Sequence, residues 1–180
     1  MASILVPLPA GFEEIETVTP IDLLRRAGHD VTIAALGPEP LVVGRSGIAL
    51  QADTCLADLP AEALFNLLLL PGGPGVKHLR ASAEVIGLVQ RHLASDRWVA
   101  AICAAPLVLH DIGALSGRHY TAHPSTAAEL TEIDATSRVV LDGRILTSRG
   151  AGTALDFALK AVELLGNHPA ADKIAQDICA

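Results

Sequence analysis

Aromatic residues are nearly absent from this chain: one Trp, one Tyr and three Phe, 3% of 180 residues. Its core must therefore be built from aliphatic packing. Basic residues are also scarce. Thirteen Lys and Arg against twenty Asp and Glu leave a formal net charge of -7, and no Lys/Arg-rich tract offers a phosphate-binding face. That balance argues against a nucleic-acid partner. Cysteines number three, at 55, 103 and 179. They make no disulfide framework, and their spacing fits no zinc pattern, so neither metal nor cofactor is expected and a reducing cytoplasm is the simplest home. The longest apolar runs are far too short to cross a bilayer. Met1–Val6 lacks the basic region and apolar stretch of a signal peptide. Linker tracts, repeats and low-complexity segments are missing too, so residues 1–180 are expected to form one domain.

What is present is an alternation of apolar strands and helical segments. Ile4 to Leu8 reads as a buried strand, Gly11-Phe12 as a turn, and Glu13-Glu14 as the start of a helix running to about Ala27. Acidic residues open that helix and Arg25-Arg26 close it, which suits the helix dipole, and Gly28 ends it. Pro20 predicts a kink or a missing bond inside it. Val31 to Ala35 is the next strand, and residues 41–50 hold one or two short ones around Gly44-Arg45-Ser46-Gly47. The leucine run 67–70 predicts a central strand ending in the tight loop Pro71-Gly72-Gly73-Pro74-Gly75. A helix over 83–93, a strand over 98–101 and a helix from beyond Cys103 to about His110 follow. Residues 119–122 read as a short strand, and 137–141 and 144–147 as strands joined by an Asp142-Gly143 turn. Helices over 153–165 and 170–178 complete the chain. This order predicts an α/β sandwich around a mainly parallel sheet.

Ligands of open α/β sheets gather beyond the carboxyl ends of the strands. Four segments fall there: residues 11–16, Pro71-Gly72-Gly73, Cys103, and the turn at Gly150. Glycines at 72 and 73 let backbone amides approach a ligand. Cys103 at a strand-to-helix turn is either a buried, inert thiol or a nucleophile favoured by nearby amides. Glu16 on its own reads first as a solvent-facing helix residue and only second, from its place in the first helical turn, as a site residue, and His123 reads first as a structural or surface residue before Pro124. The glycine loop lacks the Gly-Lys-Ser/Thr of a phosphate-binding loop, and Gly11 begins no dinucleotide fingerprint.

Several stretches together resemble the ThiJ/PfpI superfamily, most closely its Parkinsonism-associated deglycase branch. They are Gly11–Thr17, Asp22–Gly28, Leu70–Gly73, Ala100–Pro106, Leu146–Gly150, Gly152-Thr153 and Asp156–Ala158. The resemblance covers essentially the full length. It implies a flavodoxin-like three-layer sandwich and a homodimer. It also implies that Cys103 is the reactive cysteine, that Glu16 is the carboxylic acid touching its sulfur, and that the Gly73 and Ala104 amides form an oxyanion pocket. His123 matches a nearby histidine, Gly72 and Arg149 fall at pocket or anion contacts, and Arg45 is the candidate to replace a third such contact through a local shift. Three positions depart from the pattern. Ala104 stands where the protease-like branch carries His, which counts against a Cys–His peptidase. Arg45 lies one residue before the branch's usual arginine position, here Ser46. Asn66 replaces a common aspartate at the end of its strand remote from the site.

The activity so implied is a cofactor-independent glyoxalase or deglycase, acting on a small aldehyde or glycated substrate through a cysteine hemithioacetal. The alternative is an oxidative-stress sensor or chaperone-like homodimer with an oxidisable cysteine.

Overall fold

The computed structural model describes residues 1–166 and 168–180. Five parallel strands arise where the sequence is apolar on both faces: β1 (Ser3–Leu8), β2 (Asp30–Ala35), β6 (Leu67–Leu70), β7 (Trp98–Ile102) and β9 (Ile145–Ser148). With β5 (Thr54–Cys55) and β8 (Val139–Asp142) they make a seven-stranded sheet in the order β5-β2-β1-β6-β7-β9-β8. All neighbours are parallel except β8 against β9, a hairpin turning at Asp142-Gly143. The strands β3 (Leu41–Val43) and β4 (Ala49–Gln51) form a separate antiparallel hairpin.

Alternation along the strands divides the core. Ile4, Val6, Leu8, Leu67, Leu69, Ala100 and Ile102 point to one face, where they meet α1 (Glu14–Arg26), α5 (Ala154–Leu165) and α6 (His168–Asp177). Leu5, Leu68, Leu70, Val99 and Ala101 point to the other, against α2 (Val76–Ala81), α3 (Ala83–Ala94) and α4 (Pro106–Asp111). The result is the flavodoxin-like three-layer sandwich, its core almost wholly aliphatic.

Pro20 does not end α1, which runs unbroken from Glu14 to Arg26. The missing N–H removes only the bond that the Glu16 carbonyl would accept. Residues 119–122, expected as a strand, run beside β9 without a ladder. There the Thr121 amide donates to the Thr147 side-chain oxygen at 3.0 Å, so a side chain takes the place of a backbone partner. Helix α2 and strand β5 went unforeseen because both are short and carry no periodicity of their own. Asn66 anchors β1 through its side-chain oxygen, which accepts from the Ser3 amide at 2.9 Å, at the amino ends of the strands.

Candidate functional site

Cys103 follows β7 immediately and adopts φ 65, a left-handed conformation that costs a non-glycine residue about 1–2 kcal/mol. Two long-range bonds hold it there. Its amide donates to the Ser148 carbonyl at 2.9 Å, and its carbonyl accepts from the His123 amide at 2.9 Å. Pro106 then starts α4 at a position whose N–H would have no helical partner anyway. The helix has only six residues. Individual amides, rather than a long dipole, therefore act on the sulfur.

Glu16 stands in the first turn of α1 and is 1% exposed. The reading of it as a solvent-facing residue does not hold. Glu13 caps the helix, its Oε2 accepting from the Glu16 amide at 2.8 Å. The Gly72 carbonyl in turn accepts from the Glu13 amide at 3.0 Å, which seals the glycine loop over the start of α1. The absence of side chains in that loop is what lets the acid and the thiol meet. A Cβ at Gly72 would overlap both Glu16 Oε2 and the Cys103 Cβ. At Gly73, which has φ 95, a Cβ would stand 2.7 Å from both the Glu13 nitrogen and the Gly11 oxygen.

Electrostatics at this centre are set by burial. Burial above all, and then the nearby Glu13 charge, raise the Glu16 carboxyl from 4.5 to about 7, against opposing pulls from Cys103, the Ala151 amide and Arg45. The Cys103 thiol is pushed up to about 12 by burial first, and then by the Glu16 carboxylate as a negative charge and as an acceptor. The Gly73 and Ala104 amides pull it the other way. A proton on Glu16 reverses that acid's part: repulsion disappears and a carboxyl O–H becomes a donor towards sulfur. Loss of the sulfur proton is thus favoured by the two amides and opposed by an ionised Glu16.

His123 is brought to the rim but not into bonding contact. Its Nδ1 accepts from the Ser125 amide at 3.1 Å and lies 2.8 Å from the Ser125 hydroxyl, which leaves the proton of the neutral ring on Nε2. Among the described residues its ring makes no hydrogen bond to Cys103, whose carbonyl is held by the His123 backbone amide alone. Gly150 forms the wall between them. A Cβ there would lie 3.4 Å from His123 Cδ2, 3.5 Å from Glu16 Oε1 and 4.0 Å from Cys103 Sγ. Gly150 stood out in the sequence only as a strand-end glycine. The pairing of Ile102 with Ser148 is what carries it to the sulfur.

Arg149 is half-buried and lines an open groove of about 440 Å³ with His123, Pro124, Arg138 and Gly150. Arg45 is exposed on the β3–β4 hairpin, whose Arg45 amide donates to the Phe12 carbonyl at 2.8 Å. Its positive charge reaches Glu16, so the one-residue offset leaves an arginine beside the site. Among the described residues no cluster of three or more His, Cys, Asp or Glu could hold a metal ion, and no helix is long and apolar enough to cross a membrane.

Comparison with known proteins is consistent with this geometry. Residues 2–164 match the model of the DJ-1/PfpI family. Protein DJ-1 homolog A of Arabidopsis thaliana is 38% identical over 96% of this chain, although the chain spans only 45% of that relative's length. Glutathione-independent glyoxalase DJR-1.2 of Caenorhabditis elegans is 35% identical over 99% of this chain and 95% of its own length. The structure of oxidized Toxoplasma gondii DJ-1 superposes with a TM-score of 0.94 at 34% identity, covering 99% of this chain and 98% of that one. The chain belongs to the DJ-1/PfpI family.

Proposed function

We propose that residues 1–180 form a single-domain, cofactor-independent glyoxalase or deglycase-like enzyme, acting in the cytoplasm on methylglyoxal, glyoxal or their early adducts. The observation that carries this reading is the Cys103–Glu16 pair, a strained, part-buried thiol and a buried carboxyl near pKa 7, under the Gly73 and Ala104 amides. The name of the Caenorhabditis elegans relative, a glutathione-independent glyoxalase, supports the same reaction class.

In this mechanism the Cys103 sulfur adds to the aldehyde carbon as its proton passes by way of Glu16 to the carbonyl oxygen, giving a hemithioacetal. The amides of Gly73 and Ala104 stabilise the oxyanion as it develops. Glu16, now ionised, removes the proton from the carbon bearing sulfur and returns it to the neighbouring carbon, while the hydroxyl proton of the hemithioacetal moves to the oxygen of that neighbouring carbon. The first carbon is thereby oxidised to a thioester while the second is reduced to an alcohol, with no external oxidant. Water then cleaves the carbon–sulfur bond, releasing lactate or glycolate and restoring the thiol. His123 donates from Nε2 at the rim, Gly72 leaves the space, and Arg45 and Arg149 hold the carboxylate product.

Purified protein should convert methylglyoxal to lactate without glutathione, and Cys103→Ala and Glu16→Gln should each lose about a hundredfold or more of that rate. Equal turnover by wild type and both variants would sink the mechanism. We also propose a homodimer. Ile15, Val18, Val43 and Ile48 are 53%, 43%, 51% and 56% exposed on α1 and the β3–β4 hairpin packed against it. Such an apolar surface fits a second copy of the chain.

A second reading rests on the same pair. A protonated Glu16 would donate to a Cys103 sulfinate formed by two equivalents of peroxide, each leaving as water. Intact mass after mild peroxide tests it. A mass without added oxygen, at doses that preserve the fold, rules against a sensor.

A further inference from the structure

Glycine inside a helix weakens it, yet α3 carries Gly87 in its middle. The reason lies one turn on: a Cβ at 87 would stand 3.1 Å from Arg91 Nη1. The Arg91 side chain therefore folds back along the helix instead of reaching into water. Its Nε is buried and has no hydrogen-bond partner, and no ion pair reaches the guanidinium among the described residues. An arginine is always charged, and a buried donor on a charged group left unpaired is costly enough to require an acceptor.

Arg91 also lines a cavity of about 230 Å³ between α3 and residues 56–63. Leu56, Leu59, Pro60, Ala63 and Leu88 supply apolar walls, and Glu84 sits exposed at the rim. The outer wall is fastened in place. The Phe65 amide donates to Nε2 of fully buried His92 at 3.2 Å, and the two rings stack with centroids 6.4 Å apart. His92 Nδ1 in turn lies 2.7 Å from the Leu88 carbonyl. A concave, mostly apolar pocket with a few polar groups in its lining is the common form of a small-molecule site, and Arg91 is the one cation in this lining. This one shares no residue with the Cys103 centre.

We infer that the cavity binds a free monocarboxylate with a short aliphatic body, its carboxylate on Arg91 and its chain among the leucines. Hexanoate titrated into the isotope-labelled full chain tests this by amide chemical shifts. Saturable shifts confined to residues 56–65 and 84–92, with a Kd of about a millimolar, are expected. Methyl hexanoate, which keeps the body and loses the charge, should bind about tenfold or more weaker, as should hexanoate to Arg91→Met. Ala63→Leu, which fills the cavity while keeping Arg91, should abolish the shifts and leave Cys103 reactivity intact. No saturable shift at these residues, equal binding of the ester, or undiminished binding by both variants would overturn the assignment.

Discussion

Replacing Glu16 with Gln removes a buried acid while keeping its shape, and the consequence for stability can be worked through in sign and size. In the unfolded chain the carboxyl loses its proton near 4.5, whereas in the folded chain it does so near 7. Below about pH 4.5 both states hold the proton, and the site adds no cost. Between those values only the folded state holds it, so stability falls as pH rises. Above about pH 7 both states are ionised, and the cost is complete. A shift from 4.5 to about 7, at about 1.36 kcal/mol per pH unit, makes that cost about 3 kcal/mol. The Gln variant has no such titration. Urea unfolding of both proteins from about pH 4 to about pH 9 should show the variant gaining about 3 kcal/mol on wild type across the window and nothing beyond it. Because Cys103 pulls the folded-state Glu16 pKa down, Cys103→Ala should push the upper edge of the window to higher pH and leave its lower edge near 4.5. Parallel stability curves for wild type and Glu16→Gln would refute the reasoning, since they would mean that Glu16 titrates alike folded and unfolded.

Other outcomes follow from the same contacts. Glu16→Gln removes both of the contributions by which that acid raises the Cys103 thiol, so the pH midpoint for iodoacetamide alkylation, read on the Cys103 peptide by mass spectrometry, should fall by about one unit or more; an unmoved midpoint contradicts the pairing. Gly73→Ala forces a Cβ onto the Glu13 and Gly11 backbones at φ 95, and should cost about 2 kcal/mol or more in urea unfolding. A loss under about 0.5 kcal/mol would show that the loop can move aside. For the homodimer, wild type should sediment as a dimer and the Ile15→Glu, Val18→Glu double variant as a monomer, whereas a dimeric variant would place the interface elsewhere.

Much of the scaffold was readable from local pattern. Leucines 67–70 are all buried in one central strand. The acidic start and basic end of α1 mark its limits within a residue or two. Gly72-Gly73 and Cys103 lie beyond strand ends as their neighbours required. Two short elements, β5 and α2, escaped notice, because neither run carries a period of its own to detect. Residues 119–122 failed in the opposite sense. Their composition suits a strand, but Thr147 offers them a hydroxyl instead of a ladder.

The sequence by itself determined that the chain is an aliphatic α/β sandwich, with a cysteine at a strand end and an acid at a helix start. Both follow from interactions within a turn or two of chain: propensity, capping and the period of apolar residues. Only the tertiary structure decided that Glu16 is buried against that cysteine, that Gly150 walls the sulfur, that His123 is tied to Ser125, and that the buried Arg91 Nε has no partner among the described residues. These depend on strand order, register and the few ångströms a missing Cβ allows. Such distances arise between residues far apart in the chain, and no local pattern encodes them.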